Sequence, residues 1–142
     1  MIQRIQTIFL LSATITASIL LFTPIAHNVN SNAIDLFATG AEGFQQWYLH
    51  LIFYPCIVFP FLQIFLFKNR IKQLKTGKIA IIYWIVWALI FVLICLLTDK
   101  SFENLTPSFG SILPFLSIFF IYLANKSIKK DEELVRSIDR IR

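Results

Sequence analysis

The sequence predicts an all-α membrane protein with four transmembrane helices in two hairpins, the fourth helix being extended into an amphipathic cytoplasmic tail. Three observations carry that prediction. Four long apolar runs follow one another along 142 residues, and 57% of the chain is hydrophobic against 15% charged. The mean hydropathy is +0.71, more apolar surface than a soluble domain of this size can hide, so lipid is the expected solvent. Finally, twelve of the thirteen Lys and Arg residues lie before the first run, between the second and third, or after the fourth. Those segments carry twelve basic and four acidic residues, whereas the other two connections hold Lys100 against Asp35, Glu42, Asp99 and Glu103. Basic residues on alternate connections place both termini in the cytoplasm.

The first span is expected over residues 7–25. One Arg4 precedes an apolar run of about nineteen residues, longer than the ~7–15-residue core of a secretory signal, so an uncleaved span is predicted. Ser12 and Thr16, with Ala13 and Ala17, form a small-residue flank that lets helix backbones approach in lipid. Pro24 marks its outer end. Residues 27–46, rich in Asn, Ala and Gly, form the longest connection, with 38–43 reading as loop. The second span, 47–67, begins at Trp47 and Tyr48, which suit the interface. It contains Pro55 and Pro60, so a kinked or loosened helix is expected. Gln63 is its single inner amide and is expected to face another helix.

Residues 68–78 hold Lys68, Arg70, Lys72, Lys75 and Lys78 without an acid, and Gly77 reads as a turn breaker. This loop is expected to contact the anionic lipid surface, each basic residue contributing ~1 kcal/mol. The third span, 79–97, carries Trp84, Trp87 and Phe91 on one face, a packing or lipid-facing stripe. The fourth is expected over 107–125. From Phe115 onward no Gly or Pro interrupts the chain, so one helix can run on ~25 Å past residue 126. Residues 1–125 thus form the transmembrane domain and 126–142 the tail. Leu134, Val135, Ile138 and Ile141 line one side of the tail, and Glu132 with Arg136 forms an i,i+4 pair. Six basic and four acidic residues there suit protein docking better than adhesion to lipid.

Several chemistries are missing. The span interiors lack Asp, Glu, Lys and Arg, which argues against coupled transport. Cys56 and Cys95 differ in depth by ~10 Å, too far for a disulfide. His27 and His50 lie towards the outer face near Asp35 and Glu42, but without a metal-ligand spacing. Nucleotide, zinc-protease and serine-nucleophile motifs do not occur. No cofactor or metal is predicted, and basic residues flanking spans argue for topology and against nucleic acid, although the net charge is +5.

The opening MIQRIQTIFLL, the intermediate FLFKNRIKQLK and the closing ANKSIKKDEELVRSIDRIR resemble a family of small four-helix membrane proteins of Bacteroidota, domain of unknown function 4293. The resemblance spans essentially the whole chain, and the tail is its most specific part. The Ser/Thr content of the first span and the paired prolines of the second depart from the family's pattern. The resemblance implies a bacterial cytoplasmic (inner) membrane protein of that fold and supplies no catalytic residues.

The expected role is non-enzymatic: an accessory or scaffold subunit in contact with the bilayer. It would dock a cytoplasmic or membrane protein, or a second copy of itself, through Leu134, Val135, Arg136, Ile138, Ile141 and the basic loop. A small-solute channel or transporter lined by the first-span hydroxyls is the alternative. A membrane enzyme, or a metal or pH site, at outer-face His27 and His50 ranks third.

Overall fold

The fold is described from a computed structural model over residues 3–28, 33–34, 47–97 and 105–139. Four helices dominate it: α1 (Gln3–Ile19), α2 (Trp47–Phe65), α3 (Arg70–Leu97) and α4 (Leu113–Asp139). Three short strands, β1 (Ala26–Asn28), β2 (Ala33–Ile34) and β3 (Leu105–Pro107), form an antiparallel sheet in the order β2-β1-β3. Three helices contain segments long and apolar enough to cross a membrane, at Leu51–Lys68, Arg70–Leu93 and Phe109–Val135, while α1 contributes the shorter apolar segment Ile5–Ile19.

The helix ends differ from the expected ones for local reasons. Instead of reaching residue 25, α1 stops at Ile19. The Leu21 and Phe22 amides bond three residues back, to Ser18 and Ile19, tightening the last turn. The Thr23 hydroxyl donates to the Ile19 carbonyl (3.1 Å), and Pro24 has no amide hydrogen with which to continue. The 68–78 segment is mostly helix, not loop. A 3-10 turn at Leu66–Lys68 leads into α3, whose start is capped by the Asn69 side chain accepting from the Lys72 amide (3.1 Å). Gly77 therefore sits inside a helix and breaks nothing. Across Pro55 and Pro60, α2 remains helical. The fourth helix starts at Leu113 because Leu105–Pro107 pairs as a strand and Phe109–Ile112 forms a 3-10 turn. Pro114 then falls in the first turn of α4, where a missing amide hydrogen costs nothing.

The connections that form the sheet are more ordered than a loop reading implies. Ala26 pairs with both Ile34 and Pro107, and His27 with both Ala33 and Thr106. Pro107 lies on an edge strand, where its lack of a donor is tolerated. Residues 38–43 lie outside the described residues.

The helices form a ring in which α1 packs on α2 and α4, and α3 on α2 and α4; the α1–α4 contact is the widest. Small residues explain that width: Ala13 and Ala17 are fully buried, on the flank expected to pack. Contacts from Gln6 to Asp131 and from Pro24 to Gly110 make α1 and α4 antiparallel. Gln63 meets Gln73, and Phe53 meets Trp84 and Trp87, so α2 and α3 are antiparallel too. The starts of α1 and α3 and the ends of α2 and α4 consequently share one end, and the sheet caps the opposite one.

The interior is built from one stripe per helix. Leu10, Ala13, Ala17 and Leu20 face Leu113, Ser117, Ile121, Ala124 and Ile128, with Phe53, Cys56, Ala80, Trp84 and Trp87 across the bundle. The outward faces stay apolar: Ile8, Ile15, Phe22, Phe61, Ile82, Leu89 and Phe115 are all exposed. Apolar residues outside and several amides inside are what a bundle solvated by lipid requires.

Candidate functional site

Each inward stripe is apolar or small over most of its length and turns polar at the shared end. Gln6 on α1, Gln63 on α2, Gln73 on α3 and Asp131 on α4 are all buried. Among the described residues this cluster gathers most of the buried polar side chains, and it defines the candidate site.

Its deeper layer joins three helices. The Gln63 amide nitrogen donates to Asn125 Oδ1 (2.8 Å), and the Gln73 amide donates to the Gln63 backbone carbonyl (3.1 Å). The latter is the carbonyl of an α2 residue near the helix end, one of those left without an intrahelical partner. Gly77 makes the layer fit. A Cβ there would overlap Asn125 Oδ1 and stand 2.6 Å from both Asn125 Nδ2 and Gln63 Nε2. Glycine provides space at this point, not a turn. Gln63 Oε1 is buried without a hydrogen-bond partner.

The outer layer of the site joins α1 to α4. Gln6 donates its amide to Asp131 Oδ2, while Asp131 Oδ1 remains buried and unpartnered. Arg70 opens α3 at the same end, and its Nη1 is likewise buried without a partner. On the exposed rim, Lys129 pairs loosely with Glu133 (3.8 Å). An exposed i,i+4 pair of this kind contributes little.

Asp131 changes the sequence-based argument about charge. The span interiors lack formal charges up to residue 125, but α4 stays packed beyond that point, with Ile128 fully buried and Asp131 only 6% exposed. Sequence reading missed Gln6, Gln73, Asp131 and the spatial role of Gly77. A signal was available: residues 6, 10, 13, 17 and 20, and residues 113, 117, 121, 124, 128 and 131, keep a 3.6-residue period. Extending each apolar stripe by one turn lands on the polar partner.

The hydroxyls of Thr14, Thr16 and Ser18 in the first span are engaged within the protein. Thr14 donates to the Leu10 carbonyl, Thr16 to those of Ser12 and Ala13, and Ser18 to that of Thr14. Thr16 Oγ1 also lies 2.7 Å from Ser117 Oγ on α4, and Ser117 reaches the Ala13 carbonyl (3.5 Å). The two contacts of Ser117 join α1 to α4, and the others lie within α1. Thr16→Val should lower stability in detergent or lipid by about 0.6–1.7 kcal/mol, the span of measured interhelical hydrogen bonds, with thermal unfolding as the readout.

The half of the bundle nearer the sheet is aromatic. Phe53, Trp84 and Trp87 meet at centroid distances of 5.1 to 5.8 Å, two of the three contacts T-shaped, and Phe91 stacks on Trp87 at 5.6 Å. Both indole N–H groups are buried without an oxygen or nitrogen acceptor. Two of these contacts are edge-to-face, the arrangement the ring quadrupole favours. Cys56 is buried beside this cluster in the same core.

The remaining sequence-derived candidates scatter. Lys68, Lys72, Lys75 and Lys78 are exposed and Arg70 is half-buried. Leu134 and Val135 are exposed, at 47% and 43%. Arg136 and Ile138 lie on α4, but their side chains are outside the described residues, as is all of Ile141. His27 lies on β1 and His50 on α2, and their side chains too lie outside the described residues. No group of three or more metal-binding side chains occurs among the described residues.

The family described as Domain of unknown function (DUF4293) matches residues 2–141, and the chain belongs to it. Neither a curated protein nor a solved structure matches the chain.

Proposed function

We propose that this member of the DUF4293 family is a multi-pass protein of the bacterial cytoplasmic membrane with both termini inside, the short α1 completing a fourth span. Its role is that of a non-enzymatic accessory or scaffold subunit. The tail of α4 docks a partner, and Lys68, Arg70, Lys72, Lys75 and Lys78 rest on the anionic leaflet. The alternation of basic and acidic connections supports the orientation.

One observation carries the docking reading. Leu134 and Val135 are exposed on an uninterrupted helix, one turn past the buried Asp131. Their neighbours Lys129, Lys130 and Glu133 are exposed charges, a composition that favours an aqueous protein surface over the hydrocarbon layer.

A photo-crosslinker at Ser137 in native membranes should therefore capture one reproducible protein, this chain or another. Leu134→Asp with Val135→Asp should remove that product. The same double variant should stay within about 0.5 kcal/mol of the parent in unfolding, because both side chains are at the surface. Capture of lipid alone, or a product indifferent to the two substitutions, would sink the docking reading.

A further inference from the structure

At the end of the bundle that holds the polar cluster, exposed side chains of opposite character stand at the same level. Gln6 of α1 reaches Asp131 of α4, so a count of two residues along each antiparallel helix sets Ile8 level with Lys129. Gln63 of α2 and Gly77 of α3 meet, and the same count sets Phe65 level with Lys75. Ile8 and Phe65 are 61% and 62% exposed. Lys75 is exposed too, and the Lys129 side chain is 73% exposed. In the ring α1 neighbours α2, and α3 neighbours α4. This end is therefore apolar on its α1–α2 side and basic on its α3–α4 side.

The difference extends over more than one turn. Exposed apolar residues continue on α1 to Ile5 and past α2 to Phe67, which the same contacts set level with residues 132 and 73. Across the bundle, the exposed apolar band of α3 starts at Ile79, just after Lys78, and that of α4 gives way to Lys126 after Tyr122. Ile71, beside the turn from α2, and Leu134 and Val135, where α1 has begun or not yet begun, lie outside these bands. The two edges thus differ by five to six residues, ~7–9 Å. Snorkelling carries a lysine's charge about one helical turn, less than this offset. A hydrocarbon edge perpendicular to the bundle would either immerse the lysines or leave Ile5, Ile8, Phe65 and Phe67 in water.

We propose that lipid acyl chains cover the α1–α2 side of this end, and that the bundle sits tilted by about 20°, its α3–α4 side lifted out of the hydrocarbon. An offset of ~8 Å across a bundle two helices wide, ~20 Å, sets that angle. Continuity favours acyl chains as the cover. Ile5 and Ile8 extend the exposed apolar face of Leu11 and Ile15 on α1, and Phe65 extends that of Phe61 and Leu62 on α2. The lifted side carries Leu134 and Val135 on α4, so the tilt turns the docking turn towards water. That consequence rests on the docking reading above, whereas the tilt itself does not.

The test places a genetically encoded nitroxide residue at Ile8, Lys129, Phe65 or Lys75, one at a time, in the full-length protein. Nanodiscs of phosphatidylcholine and phosphatidylglycerol supply the bilayer, and the ratio of oxygen to nickel-chelate collision rates gives the depth. The labels at Ile8 and Phe65 should read about 7 Å deeper than those at Lys129 and Lys75. Equal depth within either pair would overturn the tilt. Labels at Ile8 and Phe65 shielded from both oxygen and the chelate would mean that protein, such as a second copy, covers them, and would overturn the proposal as well. Failure of the crosslinking experiment at Ser137 leaves these outcomes readable.

Discussion

Gly110→Ala should destabilise the protein by about 3–5 kcal/mol, the sum of an overpacking cost and the loss of two backbone hydrogen bonds. Gly110 is buried where the start of α4 meets the turn after α1. An added Cβ would overlap the Pro24 carbonyl oxygen and lie 2.9 Å from the Pro24 carbonyl carbon and 3.3 Å from Ile25 Cα. All three are main-chain atoms, so no rotamer change relieves the clash. The chain must separate, and with it go the Gly110 amide bond to the Pro24 carbonyl (3.2 Å) and the Ser108 bond to that of Ile25 (3.1 Å). Those bonds lead directly into the pairing of β1 with β3, so the damage should spread through the sheet end. Reversible unfolding in mixed micelles measures it. A variant within about 0.5 kcal/mol of the parent would show that the two segments do not approach this closely.

Gly77→Ala should cost about 2–3 kcal/mol, by a different route. Here the obstructing atoms are the ends of flexible side chains, Asn125 and Gln63. They can move, but only by giving up the Gln63–Asn125 hydrogen bond and leaving buried amide groups unpaired, which is the larger penalty. Asn125→Ala alone removes one bond partner and should cost about 1–2 kcal/mol. The decisive measurement is the combination. With the Asn125 amide gone, two of the three obstructing atoms are removed and the Gln63 amide has no bond there to give up as it swings aside, so Gly77→Ala with Asn125→Ala should be more stable than the sum of the single losses by about 1 kcal/mol or more. Strict additivity would mean that Gly77 serves helix flexibility and not the amide layer. A single substitution to leucine offers no such rescue and should block assembly outright.

Much of the architecture was legible in the residues. The number of long helices, their apolar outward faces and the Ala13/Ala17 packing flank follow from composition and spacing, because lipid solvation and the 3.6-residue period are local properties of a run. Gln63 was also legible as an inward amide, since an uncapped amide in an apolar run needs a partner. Other features were not. The strands are two and three residues long, too short to show alternation, and β1 pairs with a segment nearly eighty residues away. The helical start of α3 was hidden by charge: Lys72, Lys75 and Lys78 read as loop, yet they lie on the exposed side of a helix whose other side is Gln73, Gly77 and Ala80. The candidate site was half legible. Of its polar members, Gln63 was read as facing another helix, and Gln6 stands on the helix whose Ala13/Ala17 flank was recognised, whereas the α4 stripe that ends at Asp131 was not.

By itself, then, the sequence determined the solvent, the helices and the inward turn of the Ala13/Ala17 flank and of Gln63. Each is set by neighbours within a few turns, summed over a long apolar run. Only the tertiary structure decided which inward residues meet. Gln6 finds Asp131 across 125 positions, Gln63 finds Asn125 across 62, and Gly77 makes room for the second pair. Such partnerships depend on the order and register of packed helices. In lipid no difference in hydrophobicity between one apolar face and another selects that register, so small residues and polar contacts must do it.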